Sequence, residues 1–158
     1  MKKIDKTNDF LNENLPYQID FTANFNKAFK RKFHATYMDA QTTADEFAIL
    51  GMLNDAPSIS QIKMGKCLFK GKAHVGKMLS DMESRGLLER EIKEDGSSAI
   101  NRVTPKGRKI FENGIKTIKK NIHSKMNVEF SEDEIKQFMS YLKRYRAVLS
   151  SIVDVSLK

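Results

Sequence analysis

The stretch KGKAHVGKMLSDMESRGLLER, Lys70 to Arg90, places its charges the wrong way round for an ordinary helix. Lys70 to Leu79 hold three lysines and one histidine without an acid, and Asp81 and Glu83 follow. The backbone dipole favours negative charge at a helix N-terminus, so cations there are unfavourable unless a partner of dense negative charge faces them. Ala73, Val75, Met78, Leu79 and Met82 keep one side of the predicted helix apolar, and Gly86 is read as its left-handed stop. The pattern then changes. LLEREIKE, the pair Asp95-Gly96 and SSAINRV read as two strands around a tight hairpin turn, for which Asp-Gly supplies the positive-φ positions.

The flanks of this stretch read as helices. Upstream, Thr43-Ala-Asp-Glu46 has the form of a capping box, followed by Phe47, Ile49, Leu50, Met52 and Leu53 and a stop at Asp55-Ala-Pro57. Ser58-Ile-Ser-Gln61 reads as a second capping box, opening a short helix through Ile62, Met64 and Leu68. Downstream, Thr104-Pro105 is expected to cap a long helix with Ile110, Phe111, Ile115, Ile118, Ile122 and Met126 on its apolar side. Ser131-Glu-Asp-Glu134 is a third capping box. Ile135, Phe138, Leu142, Tyr145, Leu149 and Ile152 follow it at alternating steps of three and four, a coiled-coil-like seam. Near the start, Phe21, Phe25, Phe29, Phe33 and Tyr37 stand four apart, which on a helix is one slowly drifting stripe. It reads as a core or interface stripe in preference to an aromatic ligand box. Three long amphipathic helices exceed what one chain of 158 residues covers, so a homodimer with entwined terminal helices is expected.

The predicted fold class is mainly α with a small β-hairpin wing: a winged helix-turn-helix over residues 43–109. Residues 1–42 form an arm and first dimerisation helix, and 110–158 the C-terminal dimerisation helices. In such an order the second helix of the helix-turn-helix enters the DNA major groove and the hairpin tip approaches the minor groove or backbone. Composition agrees. The chain carries 28 Lys and Arg against 20 Asp and Glu, net +8, and the span Ser58–Lys109 alone holds twelve basic against six acidic residues. No apolar run approaches the roughly 20 residues of a membrane span. The N-terminal MKKIDKTNDFLNENLP lacks the apolar segment of a secretory signal. A single cysteine excludes an internal disulfide, and the expected location is cytoplasmic.

From Thr43 to Lys109 the chain resembles the MarR family of bacterial transcription regulators. TADEFAIL matches the capped helix and SISQIKMGKCLF the first helix of the helix-turn-helix. KGKAHVGKMLSDMESRGLLER is similar to the recognition helix with its closing pattern, Met82-Glu83 and Gly86-Leu87 ending at Arg90. VTPKG, Val103 to Gly107, resembles the Leu-Thr-x-x-Gly after the wing, and Asp95 stands nine residues before Thr104 as the family's wing aspartate does. The resemblance implies a regulator, most simply a repressor, binding double-stranded DNA at a pseudo-palindromic operator. It also implies a pocket for a small aromatic or phenolic effector. One position departs. The family's wing tip reads Asp-x-Arg, whereas here it is Asp95-Gly96-Ser97, and serine cannot supply the arginine that a narrow minor groove attracts.

The expected DNA contacts are Lys70, Lys72, His74, Gly76 and Lys77 on the recognition helix and Lys63 on the element before it. On the wing they are Lys93, Asp95, Ser97 and Arg102. Gly76 is included because glycine inside a helix is unfavourable by about 1 kcal/mol relative to alanine, and close approach to the groove would justify it. Lys32, Phe33, His34, Tyr37, Met38 and Phe47 are the expected effector lining, each also readable as core or surface. Cys67 is not placed where peroxide-sensing members of the family keep theirs, and it reads as a small, partly buried residue. His34, His74 and His123 lack metal-ligand spacing, so neither metal nor cofactor is expected. Gly65 to Lys72 has one residue too many for a phosphate-binding loop, and no nucleophile–base pair stands out, so an enzyme is not expected. Two rival readings remain: an architectural or RNA-binding winged helix without an operator, and a protein-interaction module whose DNA binding has decayed.

Overall fold

The computed structural model describes residues 11–92 and 99–153, without the side chains of Ile92 and Ala99. The chain divides into two compact units, one ending at Ala40 and the other beginning at Gln41. The described part of the first unit is dominated by helix α1, Leu15–Tyr37, which opens on an Asn14 cap accepting from the Tyr17 amide at 2.9 Å. None of its residues is buried. Phe33 stacks between Phe29 and Tyr37, with ring centroids 5.5 and 5.1 Å away, and Phe21, Phe25, Phe29 and Tyr37 are exposed.

In the second unit α2, Ala44–Asp55, is followed by α3, Gln61–Leu68, and α4, Lys72–Ser84. The antiparallel strands β1, Leu88–Ile92, and β2, Ala99–Val103, pair in a register that sets Leu88 opposite Val103 and Arg90 opposite Asn101. Helix α5, Pro105–Ile118, runs through a π-helical turn, Lys119–His123, into α6, Ser124–Glu129; α7 spans Glu132–Ile152. No helix among the described residues is long and apolar enough to cross a membrane. The core joins Ile49, Leu50 and Leu53 of α2 with Met64 of α3. It continues through Val75, Met78, Leu79 and Met82 of α4, Leu87 and Leu88 at the hairpin, and Ile110 of α5.

Local sequence fixes most of the element starts. Thr43 and Ser131 each complete a capping box, accepting from the amide three residues on while Glu46 and Glu134 return to the cap amide. Thr104 Oγ1 accepts from the Gly107 amide at 3.1 Å and donates to the Gly86 carbonyl at 2.8 Å, so one hydroxyl caps α5 and ties it to the hairpin. Gly107 sits where a Cβ would fall 2.3 Å from the Leu87 carbonyl oxygen, which gives the Val-Thr-x-x-Gly pattern its physical reason. Gly86 takes φ +69 and ends α4 as expected.

Two expectations are corrected. The cap of α3 is Ser60, not Ser58, and it accepts from the Lys63 amide at 3.2 Å. With lysine three residues after the cap, no carboxylate returns to the cap amide, so no capping box forms there. The long helix after Thr104 is also interrupted. Thr117 Oγ1 donates to the Asn113 carbonyl at 3.0 Å, Asn121 Nδ2 to the Thr117 carbonyl at 2.9 Å, and Ser124 Oγ to the Lys120 carbonyl. Side chains competing for carbonyls in this way loosen the α-helical ladder, and the helix widens by one residue here. The Asp95-Gly96 turn lies outside the described residues.

One ion pair fastens α2 to the end of α4. Glu46 is 6% exposed, and Arg85 grips it with Nη2–Oε1 at 2.5 Å and Nη1–Oε2 at 3.3 Å. Arg85 also donates to the carbonyls of Gln41 and Asp81, and its own carbonyl accepts from Lys106 Nζ at 2.9 Å. Burial alone would raise the Glu46 pKa. The Arg85 hydrogen bonds, the Thr43 amide, the Arg85 charge and the Thr43 hydroxyl outweigh it and hold the group below the ordinary value of 4.5.

Arg85→Ala leaves the Glu46 charge buried without its partner and should destabilise the fold by about 3 kcal/mol at neutral pH, measured by urea unfolding. Because the folded Glu46 pKa is depressed, the stability it contributes is complete above pH 4.5 and is lost as pH falls through the lowered value. The gap between wild type and variant should therefore narrow below pH 4.5, and a pH-independent gap would show that the ion pair is not its source.

Candidate nucleic-acid interface

The exposed side of α4 follows from its buried one. Val75, Met78, Leu79 and Met82 face the core, and the opposite seam at helical spacing is Ala73, Lys77, Ser80 and Ser84, all exposed. Lys77 is thus the one long side chain in the middle of a strip of small ones. Lys72 and His74 are exposed on either flank of this seam, and Gly76 is half-buried beside it. Lys72, His74, Gly76 and Lys77 are brought to one end of one helix, as the sequence suggested. Ala73 is corrected: it was expected on the apolar side with Val75 and Met78 but is exposed on the opposite seam, while Ser80 was missed because its chemistry attracts no notice. The signal that finds them is spacing: they stand four before and three after Lys77.

A Cβ built on Gly76 meets only Gln61 Oε1, at an ordinary 3.7 Å. Among the described residues nothing requires glycine at this helical position.

Charge around α4 is largely uncommitted. Lys63, Lys66, Lys72 and Lys77 are exposed and take part in no ion pair among the described residues. Lys70 differs. Its ammonium lies 3.1 Å from Asp45 Oδ2 and links the turn before α4 to the first turn of α2. On the wing, Arg102 donates to Glu91 Oε2 from Nη2 at 3.2 Å and from Nε at 3.4 Å, so this cation faces an acid on the neighbouring strand. Lys93, Asp95 and Ser97 lie outside the described residues. At the wing base Arg90 reaches Glu83 of α4 at 3.8 Å. Arg90 Nε and Asn101 Oδ1, a donor and an acceptor on register partners, are buried without hydrogen-bond partners.

The residues read as an effector lining are divided between the two units. Lys32, Phe33, His34, Tyr37 and Met38 belong to the first, and Phe47 to the second, where its ring packs 5.3 Å from that of Phe111. A shallow groove at the wing base is lined by Glu83, Gly86, Leu88, Glu89, Arg90, Thr104, Pro105 and Lys106, and includes none of the six. Cys67 is exposed, not partly buried. No group of three or more metal-ligating side chains occurs among the described residues.

No protein-family model and no curated protein matches the sequence. Solved structures do. A mutant MarR from E. coli complexed with operator DNA superimposes with a TM-score of 0.68 at 21% identity, covering 87% of this chain and 98% of that one. The S. aureus MepR–DNA complex gives 0.66 at 18% identity over 85% and 96% of the two chains. The PcaV transcriptional regulator from Streptomyces coelicolor, in complex with its natural ligand, gives 0.69 at 18% identity over 93% and 98%. The chain has the winged-helix fold of the MarR-type transcriptional regulators.

Gly76→Ala separates the two demands on that position. It should stabilise the protein by about 1 kcal/mol through helix propensity, read as a higher urea midpoint, and weaken DNA binding, read by fluorescence anisotropy. Unaltered DNA binding in the stabilised variant would remove close groove approach as the reason for the glycine.

Proposed function

We propose that this chain is a MarR-type transcriptional regulator that binds a pseudo-palindromic operator as a homodimer, most simply as a repressor. The observation that carries the proposal is the exposed seam of α4. A cation at Lys77 stands centrally among Ala73, Gly76 and Ser80, with the unpaired Lys63, Lys66 and Lys72 around it, on a fold that presents this helix to a major groove. Small residues allow the helix backbone close to the groove floor. A lysine at the centre is the right donor for guanine O6 and N7, while the flanking cations suit phosphates. Lys93, Ser97 and Arg102 remain the proposed wing contacts to the backbone, beside Asp95.

The dimer rests on apolar surface. Helix α7 exposes Phe138, Met139, Tyr141, Val148, Leu149 and Ile152 and buries no residue, and α1 likewise exposes its aromatic stripe. Two amphipathic helices with contiguous apolar faces are read as an interface with a second copy. Regulation by a small aromatic or phenolic anion belongs to the same proposal. Such a molecule shifts DNA occupancy only if it binds the two states unequally.

Two predictions test this reading. In anisotropy titrations, DNA from upstream of the protein's own gene should bind about a thousandfold or more tightly than a scrambled duplex at physiological salt. Lys77→Ala should weaken the specific complex by about 1–3 kcal/mol. Equal binding with a salt slope of about −0.9 per phosphate neutralised would instead indicate an architectural, charge-driven role. In sedimentation the protein should run at twice its chain mass of 18.1 kDa. Leu149→Asp on the α7 seam should dissociate it and abolish operator binding at nanomolar protein, and a monomeric wild type would refute the entwined dimer.

A further inference from the structure

The turn between α3 and α4 contains a conflict. Phe69, the residue that ends α3, takes φ 53 and ψ 47, the left-handed region, and is the only residue other than glycine with positive φ among those described. Glycine or asparagine normally fills such a helix end, because a side chain with a Cβ is strained there. The ring is also 76% exposed and has no aromatic neighbour among the described residues.

The turn cannot relax by moving its neighbours. The Phe69 amide donates to the Lys66 carbonyl at 3.4 Å and the Lys70 amide to the Gly65 carbonyl at 2.9 Å. The Lys70 carbonyl oxygen approaches Gly65 so closely that a Cβ there would lie 2.5 Å from it. The chain therefore holds a large apolar ring in water on a backbone that disfavours it. Burial of the ring by a ligand relieves the exposure, and the rigid turn fixes where the ring points.

We infer that Phe69 is an apolar contact to the DNA duplex, made where the turn before the recognition helix meets the strand bordering the major groove; this rests on the DNA-binding reading above. Phe69 precedes the N-cap of α4 by two residues and stands between the exposed, unpaired Lys66 and Lys72. Cations on both sides point to a polyanion and the ring to an apolar element of that polyanion. In helix-turn-helix docking the helix before the recognition helix crosses the backbone while the N-terminus of the recognition helix reaches the bases. A duplex offers two apolar elements there, the thymine C5-methyl at the groove edge and the face of a deoxyribose. An acidic protein would satisfy the lysines equally, but the ring lies beside a helix whose exposed seam is shaped for a groove.

Phe69→Asn removes the ring and suits the left-handed backbone, whereas Phe69→Leu keeps an apolar group and the strain. On the operator duplex found by the upstream-DNA comparison, Phe69→Asn should raise the urea midpoint and still weaken binding about tenfold or more. Phe69→Leu should bind nearly as wild type. Replacing the operator thymines one at a time by deoxyuridine distinguishes the two sources. If one replacement weakens wild type and not Phe69→Asn, the contact is a methyl group; if every replacement leaves the Phe69→Asn defect in place, it is a sugar. Wild-type affinity in Phe69→Asn, with operator preference intact in the wild type, overturns the inference alone. A lowered urea midpoint overturns it too, by showing that the ring packs within the chain. Loss of operator preference in the wild type itself brings down the DNA reading and this inference with it.

Discussion

The second unit depends on one buried carboxylate. Glu46 belongs to two structures at once: it closes the capping box that starts α2, and it receives the guanidinium that ends α4. Arg85 then passes the constraint on, through the Gln41 and Asp81 carbonyls and, by its own carbonyl, to Lys106 at the start of α5. Three helix ends meet at this point. Helix α4 is anchored at its far end by a charged, directional contact, and along its length by the apolar side chains of Val75, Met78, Leu79 and Met82. Apolar packing alone tolerates small rotations, whereas a two-pronged arginine–carboxylate contact does not, because its geometry is specific.

The near end of α4 obeys the opposite rule. There the chain leaves charge unsatisfied: Gly71 offers no side-chain cap, no acid stands in the first turn, and Lys72 and Lys77 have no ion-pair partner among the described residues. The same helix is thus closed electrostatically at its C-terminus and open at its N-terminus. Lys70 shows that the distinction is not a matter of sequence position, since it stands two residues before Lys72 yet is held by Asp45. Its contact fixes the turn, whereas Lys72 and Lys77 after it, like Lys63 and Lys66 before it, have no ion-pair partner among the described residues.

What could be read from the sequence was what is decided within a few residues. Thr43, Thr104 and Ser131 cap their helices because a hydroxyl reaches an amide three residues on, and no distant contact is needed. Apolar periodicity likewise marked Val75, Met78, Leu79 and Met82 on the buried face of α4, but it wrongly added Ala73, which is exposed. Ser58 was misplaced because Ser60, two residues later, offers the same chemistry, and local pattern does not rank them. The π-helical turn escaped because Thr117, Asn121 and Ser124 are unremarkable singly and act only together. Glu46 and Arg85 lie 39 positions apart, so nothing local joins them. In the candidate site Gly76 stood out in the sequence, whereas Ala73 and Ser80 did not, and the pairing of Lys70 with Asp45 and of Arg102 with Glu91 was not legible because the partners are distant in sequence. Phe69 was invisible for a further reason, since phenylalanine gives no signal for a left-handed backbone.

The wing sharpens this division. Ser97 stands where the resembling family has arginine, Arg102 on β2 faces Glu91, and Arg90 on β1 reaches Glu83. A minor-groove contact draws its strength from an inserted positive charge in a narrow, negative channel, which serine does not provide. On the DNA-binding function proposed above, binding strength lost at the wing has to be recovered where the chain keeps its cations uncommitted and its surface able to approach closely. Both conditions hold on α3 and α4. There Lys63, Lys66, Lys72 and Lys77 are unpaired, and Ala73, Gly76 and Ser80 leave room for a groove. The proposed function is therefore one of recognition weighted toward the major groove, where the four base pairs can all be told apart.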